Sequence, residues 1–310
     1  MAKKDDRIPN IMRQGTFVPW AYVAPALLVM AAIVVYPALN TFLLSFKNAD
    51  ATQSAAAACL PGESCWGAFE NFRYALTSPI MLSAFKNNLL WMILMVGGTV
   101  GMGLLIAVLA DKVKYEALAK AIIFMPMAIS FVGAGIIWKF MYTFGTGQVQ
   151  IGLLNAIITW LGADAVSWLT EPAINNYALI IVGVWMWTGF CMTILSASLK
   201  SVPAEILEAA RVDGATEWKV FWSIMVPIIM PTIAVVVTTM VINVLKIFDI
   251  VYVMTGGNFG TEVIANRMYG EMYVSHQSGR SAAIAVVLIL LTIPFMIWNI
   301  RRFREQEAIR

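Results

Sequence analysis

Six apolar stretches dominate this chain, and each can cross the hydrocarbon core of a bilayer, which requires about 20 apolar residues. In chain order they are Trp20–Ser45, Ala84–Ala110, Leu118–Tyr142, Tyr177–Ala197, Ile224–Leu245 and Ala282–Asn299. Helices are expected for all six, because lipid offers no hydrogen-bond partner to an open sheet edge. Only 13% of the 310 residues are charged, about half the share in an average soluble domain. The sequence therefore predicts an all-α integral membrane protein with six transmembrane helices.

The distribution of Lys and Arg predicts the orientation of the spans, because short cytoplasmic loops carry an excess of both residues. With both termini in the cytoplasm, the inside segments hold Lys3, Lys4, Arg7, Arg13, Lys112, Lys114, Lys200, Arg211, Lys219, Arg301, Arg302, Arg304 and Arg310. The longer outside loops hold only Lys47, Arg73, Lys246, Arg267 and Arg280. This excess favours an N-in, C-in topology.

The topology divides the chain into two tails, one membrane domain and its loops. Residues 1–17 are predicted to form a cytoplasmic tail, and residues 18–310 a single six-helix domain. That domain has an outside loop at 46–83, a polar cytoplasmic loop at 198–223 and a cytoplasmic C-terminal tail at 301–310. The small net charge of +3 gives no support to a nucleic-acid partner.

The cytoplasmic loop between the fourth and fifth spans contains a short predicted helix. Pro203 suits a first helical turn and Ser201 could cap it. Gly214 is typical of a helix C-terminus, and Glu208 and Arg211, three residues apart, can pair on one face. A second half-helix is expected from about Glu217 into the fifth span.

The charges of this loop helix argue for a protein partner. A helix that lies on a membrane surface has a polar face rich in Lys and Arg. Here Glu205, Glu208 and Asp213 stand against the single cation Arg211. The loop helix is therefore expected to bind in a groove of another protein.

The same loop resembles the EAA motif of bacterial ABC importer permeases. That motif reads Glu-Ala-Ala, three residues, Gly, nine residues, Ile, one residue and Leu-Pro. Glu208-Ala209-Ala210, Gly214, Ile224 and Pro227 stand at these positions, with Val226 in place of Leu. Three further segments resemble the carbohydrate-uptake branch, in particular the first permease of maltose, glycerol-phosphate and α-glucoside importers: Val35–Pro37, Phe69–Arg73 and Phe248–Gly257.

The resemblance implies a type I ABC importer fold with a cytoplasmic coupling helix, in a bacterial cytoplasmic (inner) membrane. It implies a second, homologous permease subunit, a dimer of ATPase subunits docked on the coupling helix, and a periplasmic solute-binding protein. The residues implied in ATPase coupling are Glu205, Glu208, Ala209, Ala210, Arg211, Asp213 and Gly214.

ATP hydrolysis is predicted to belong to another chain. A phosphate-binding P-loop needs Gly followed by Lys and then Ser or Thr, and the sequence contains no Gly-Lys dipeptide. The chain is thus expected to be a transport subunit rather than an enzyme, with ATP and Mg²⁺ bound by the partner ATPase subunits and no cofactor of its own.

The resemblance to the maltose permease also implies a substrate path formed by the fourth and fifth spans. The matching positions are Trp185, Thr188, Gly189, Met192, Asn243, Val244 and Ile247. Aromatic faces with a few polar groups suit a sugar, although Trp185 and its neighbour Trp187 could instead pack between helices. A sugar or glycoside is the leading substrate class, and a compatible solute or a polyol, free or phosphorylated, is the alternative.

Two other classes of membrane protein fit less well. A proton-coupled transporter would need buried carboxylate or His relays, which the six spans lack. An intramembrane enzyme would need a nucleophile with a base, or metal ligands, and the one His of the chain, His276, falls in the last outside loop.

The three cysteines have different expected roles. Cys191 lies in the middle of the fourth span and is expected to be a small apolar core residue. Cys59 and Cys65 fall in the first outside loop, where an oxidising compartment would permit a disulfide. The two thiols either form this short bridge or remain free, and no metal site is expected.

Overall fold

The computed structural model describes residues 17–47, 67–145 and 152–309, and no β-strand occurs in these ranges. The helices are α1 (Phe17–Met30), α2 (Tyr36–Leu44), α3 (Ala68–Thr77), α4 (Pro79–Ala110), α5 (Glu116–Phe124), α6 (Phe131–Met141), α7 (Leu153–Trp160), α8 (Asn175–Lys200), α9 (Ala204–Val212), α10 (Glu217–Val220), α11 (Val226–Leu245), α12 (Asp249–Met254), α13 (Ile264–Tyr273) and α14 (Ser278–Ile309). The π-helical turns Ala31–Val35 and Phe221–Met225 join α1 to α2 and α10 to α11, and the 3₁₀ turn Met125–Ala128 continues α5. Cys59 and Cys65 lie outside the described residues.

The prediction of an all-α membrane protein is confirmed. Five helical segments are apolar and long enough to cross a bilayer: Trp20–Leu44, Pro79–Ala110, Asn175–Lys200, Glu217–Leu245 and Ser278–Arg301. A sixth crossing consists of two helices that meet at an angle of 98°, Glu116–Ala128 and Phe131–Met141. These six segments are called the first to the sixth span in chain order, so that the bent pair is the third.

The third span is not the continuous helix expected between Leu118 and Tyr142. Pro126 has no backbone N–H to donate to the preceding turn, and Ile129 and Ser130 are extended. The Ser130 hydroxyl then accepts a hydrogen bond from the Gly133 N–H at 3.1 Å, which starts a new helix. The break is therefore a capped helix start rather than a local distortion.

The fourth span is the centre of the hydrophobic core. In its most apolar 18-residue stretch, 61% of the residues are buried, whereas 28% are buried in the same stretch of the second span and of the fifth span. The second span runs along it and approaches closely at Gly103, where a Cβ would lie 2.9 Å from the Met192 backbone nitrogen. Cys191 is fully buried at this contact, as expected.

The first span lies outside this core. No residue in its most apolar 18-residue stretch is buried. The first span touches the sixth span through α2. Tyr22 is 82% exposed and Leu28 is 69% exposed. Apart from this contact, the apolar surface of the first span is available to lipid or to another membrane protein.

Buried asparagines hold the loop between α12 and α13 at the outer side. Asn87 of the second span donates hydrogen bonds to the carbonyls of Gly260 (2.7 Å) and Glu262 (2.8 Å). Asn175 of the fourth span donates to the Phe259 carbonyl at 2.7 Å. Because backbone carbonyls in a buried loop need such partners, the outer loop is fixed to the ends of two spans.

The Glu262 carboxylate belongs to the same outer network. It accepts hydrogen bonds from the Asn266 side chain at 2.6 Å and from the Val263 N–H at 3.2 Å. Burial raises the pKa of Glu262, and these two hydrogen bonds oppose the rise. The loop thus encloses an acidic group that takes up a proton more readily than an exposed glutamate.

Candidate functional site

The predicted loop helix is present as α9, from Ala204 to Val212. It begins directly after Pro203, and Gly214 terminates it with a φ of +80°. The Ser201 hydroxyl does not cap α9, because Ser201 is still the last turn of α8 and donates to the Ser198 carbonyl at 2.7 Å. Three residues, 201–203, therefore carry the chain from the end of the fourth span into α9.

The ion pair of α9 differs from the expected one. Arg211 contacts Glu217 at 2.7 Å between Nε and Oε1, instead of pairing with Glu208. The left-handed turn at Gly214 reverses the chain and brings the start of α10 back to Arg211. Since both side chains are exposed, the pair contributes little to stability, but it connects α9 to the start of the fifth span.

The two faces of α9 have different surroundings. Leu207 packs against the hydrophobic core, whereas Glu205, Glu208 and Ala209 are exposed. Val212 is also exposed, by 87%. An apolar side chain beside carboxylates on an outward face suits a protein groove better than a lipid surface.

The predicted path residues do not form one pocket. Trp185 and Thr188 line a groove of about 730 Å³ beside the break in the third span. Its other lining residues are Leu94, Gly98, Met102, Ile106, Ile122, Ile123, Pro126, Trp138, Tyr177, Ile180, Ile181 and Val184. None of them is charged, and Trp138 meets Trp185 edge-on with ring centroids 5.6 Å apart.

Most of the other path residues lie in the core of the chain. Met192 and Val244 are fully buried, and Ile247 is 8% exposed. Asn243 is half-buried and donates to the Thr239 carbonyl of its own helix at 2.9 Å. The crossing of the fourth and fifth spans turns these residues inward, which the resemblance to a related permease did not predict.

Gly189 is where the fourth span meets the broken third span. A Cβ there would lie 2.6 Å from both the Ile123 carbonyl oxygen and the Phe124 Cα. Real Cβ contacts do not come this close, so only glycine permits the approach. Gly189 thereby fixes the wall of the groove that contains Trp185 and Thr188.

An ionic cluster at the cytoplasmic ends of three spans was not predicted. It consists of Asp111 at the end of the second span, Glu116 and Lys120 in the third, and Ser196 and Lys200 in the fourth. The four-residue spacing of Glu116 and Lys120 was a visible signal for one pair. Asp111 and Lys120 are 9 positions apart, and the contacts of the fourth span join residues 76 to 85 positions apart, which sequence spacing does not indicate.

A second groove, of about 520 Å³, separates this cluster from α9. Its walls come from the second span, the end of the fourth span, α9 and the start of the fifth span. Among its lining residues are Asp111, Lys200, Leu207, Arg211 and Glu217. The ionic cluster and the loop helix thus face each other across one cytoplasmic cleft.

Comparisons with known proteins agree with this arrangement. Residues 89–300 match the family model described as binding-protein-dependent transport system inner membrane component. The osmoprotective compounds uptake permease protein GgtC of Synechocystis is 53% identical over 290 residues, which cover 93% of this chain and 100% of that protein. The alpha-glucoside transport system permease protein AglF of Rhizobium meliloti is 43% identical over 310 residues, covering 99% and 87%.

A solved structure shows the same fold. One chain of a bacterial ABC transporter involved in the import of the acidic polysaccharide alginate superposes with a TM-score of 0.78 at 22% identity, covering 93% of this chain and 96% of that one. The spans, the cytoplasmic loop helix and the family match lead to one conclusion. This chain is a multi-pass inner-membrane permease subunit and belongs to the family of binding-protein-dependent ABC transport system inner membrane components.

Proposed function

We propose that this permease forms half of the translocation path for a neutral sugar or glycoside, with the groove at Trp185 and Thr188 as part of that path. The uncharged, aromatic lining of the groove carries the proposal. A phosphorylated or acidic solute would need Arg or Lys in the groove, and its lining residues include neither. Aromatic faces and a hydroxyl suit the apolar faces and hydroxyl groups of a sugar ring.

Relatives support this substrate class. AglF, at 43% identity over almost the full chain, is named for α-glucoside transport. A second candidate is an osmoprotective solute, which is favoured by the 53% identity to GgtC. Both candidates are compatible with an uncharged groove.

We infer three partners from the surfaces of the chain. The outward face of α9, with Glu208, Ala209 and Val212, would dock on an ATPase subunit, which supplies ATP and Mg²⁺. The exposed first span would pack against a second, homologous permease subunit. A periplasmic binding protein would dock on the outer loops; one structural neighbour is named as a complex with such a protein carrying an alginate pentasaccharide.

The substrate assignment is tested with the permease and its partner subunits in lipid vesicles. ATP-driven uptake of a labelled α-glucoside, a neutral osmolyte and a sugar phosphate is compared. Uptake of either neutral solute, with no uptake of the sugar phosphate, is expected. Preferential uptake of the sugar phosphate would contradict the proposed path chemistry.

Trp185→Ala is expected to raise the KM for uptake by roughly 2- to 13-fold, because one aromatic contact contributes about 0.5–1.5 kcal/mol. Asn243→Ala is expected to lower uptake without loss of subunit assembly. The matched control is Trp160→Ala, since Trp160 ends α7 and is 84% exposed. Unchanged kinetics for Trp185→Ala would remove the groove from the path, and unchanged uptake for Asn243→Ala would remove that residue.

A further inference from the structure

We propose that Lys120 is a positioning residue for coupling. It locks the cytoplasmic ends of the second, third and fourth spans together, so that a displacement of α9 moves all three. This inference rests on the proposed docking of α9 on an ATPase subunit. It concerns the route by which that displacement reaches the groove at Trp185.

The Lys120 ammonium group has three protons, and the structure places three acceptors around it. They are Asp111 Oδ1 of the second span, Glu116 Oε1 at 2.5 Å, and Ser196 Oγ of the fourth span. Ser196 Oγ in turn donates to Asp111 Oδ1 at 2.8 Å. Lys120 and Asp111 are each 19% exposed, so water competes for these contacts only in part.

The cluster continues toward α9 through Lys200. Its Nζ forms an ion pair with Glu116, and Lys200 is the last residue of α8. Only residues 201–203 separate it from α9, and Val202 among them is buried in the core. A short, partly buried connection cannot absorb a shift of α9, so the shift reaches the cluster.

The cluster also borders the groove. Its three helices are the walls of the groove that contains Trp185 and Thr188. Lys120 stands two residues before the lining residue Ile122, and Asp111 stands five residues after Ile106. The close approach at Gly189 provides a second fixed point between the third and fourth spans. The spacing of the groove walls is therefore held at one end by Lys120.

A variant that removes the charges of the cluster together can distinguish a role of Lys120 in coupling from a role in the folding of the subunit. Loss of Lys120 alone leaves the Asp111 and Glu116 carboxylates without their shared cation, which is strongly destabilising when such groups are partly buried. A neutral set of similar volume avoids that cost. The variant with Asp111→Asn, Glu116→Gln and Lys120→Met together thus removes the ionic lock and leaves only Lys200 without its carboxylate partner, and that side chain is 52% exposed to water.

The test compares three variants in vesicles that contain the whole transporter: Lys120→Met, Lys120→Arg and the neutral triple variant. Two quantities are measured, the solute imported per ATP hydrolysed and the stimulation of ATP hydrolysis by the loaded binding protein. We expect both to fall about tenfold in Lys120→Met and in the triple variant, within the range of ordinary coupling free energies. Lys120→Arg is expected to retain most of the import per ATP and most of the stimulation of ATP hydrolysis. Lys114→Met serves as the control and is expected to behave as wild type, because Lys114 lies in the short cytoplasmic loop between the second and third spans and outside the cluster.

The triple variant decides the outcome. If it assembles and couples as wild type does, the cluster only balances charge and the proposal is overturned. If it does not assemble, the cluster belongs to folding, and the proposal is overturned as well. A wild-type transporter that imports none of the tested solutes would count against the proposed substrate instead, whereas normal import by the wild type together with normal coupling in the triple variant counts against the role of Lys120 alone.

Discussion

Glu208→Ala and Gly214→Val are each expected to abolish most solute uptake while the subunit remains assembled in the membrane. Glu208 is exposed and its charge acts within the subunit on Arg211, which is exposed too, so its loss leaves the core intact. Gly214 has a φ of +80°, and a Cβ added there would have nothing within 4 Å, so valine meets backbone strain but no collision. That strain costs about 1–2 kcal/mol and changes the direction in which α9 meets its partner.

The rate of ATP hydrolysis and the rate of solute uptake are measured on the same vesicles, because uncoupling lowers the rate of uptake more than the rate of hydrolysis. We expect uptake per ATP to fall by roughly 5- to 150-fold, the usual range for a coupling free energy of about 1–3 kcal/mol. Gly162→Val is a matched control, since Gly162 has a φ of +86° and open space around it in an outside loop. Glu171→Ala is the control for an exposed glutamate on the outer side. Full uptake in both test variants would disprove the coupling role of α9.

Gly189→Leu is expected to have the largest effect on folding and assembly. Its Cβ would lie 2.6 Å from two backbone atoms of the third span, Ile123 O and Phe124 Cα. Backbone cannot move aside as a flexible side chain can, and overpacking of a core costs typically about 1–3 kcal/mol. The purified subunit should lose thermal stability, measured as the fraction that remains monodisperse in detergent after heating.

Gly97→Leu provides the comparison for that experiment. Gly97 also lies in a long span, but a Cβ added there would have nothing within 4 Å, and the residue is exposed. A leucine there should leave the thermal stability of the subunit close to wild type. Equal losses at Gly97 and Gly189 would mean that helix propensity, rather than the contact with the third span, makes glycine necessary.

The structure confirms those predictions that depend on local chain properties. The spans follow from hydropathy, because every unpaired polar group in lipid costs several kcal/mol, by order of magnitude. The bounds of α9 follow from Pro203 and Gly214, whose backbone preferences act whatever surrounds them. The second half-helix that the sequence predicts from about Glu217 begins there as α10, where the Thr216 hydroxyl accepts a hydrogen bond from the Lys219 N–H.

Other features could not be predicted because they depend on which helices meet. Proline is tolerated inside membrane helices when neighbours satisfy the freed carbonyl, so Pro126 alone did not reveal the 98° break. The resemblance to a maltose permease implies that Met192, Val244 and Ile247 are path residues, and their burial within the subunit depends on helix packing that the sequence does not reveal. The assignment of roles to residues of the path and of α9 therefore remains a set of predictions for the experiments above.

The amino-acid sequence by itself determined that this chain is a six-span inner-membrane permease with a cytoplasmic helix at Glu208, because hydropathy, charge bias and a short motif are properties of contiguous residues. The tertiary structure alone decided that Lys120 joins three spans and that Trp185 and Thr188 border an uncharged groove. It also decided that the broken third span packs closely against the fourth span at Gly189. The physical reason is that ion pairs, grooves and close approaches depend on helix crossings, which bring together residues far apart in the chain, such as Ser196 with Asp111 and Asn87 with Glu262.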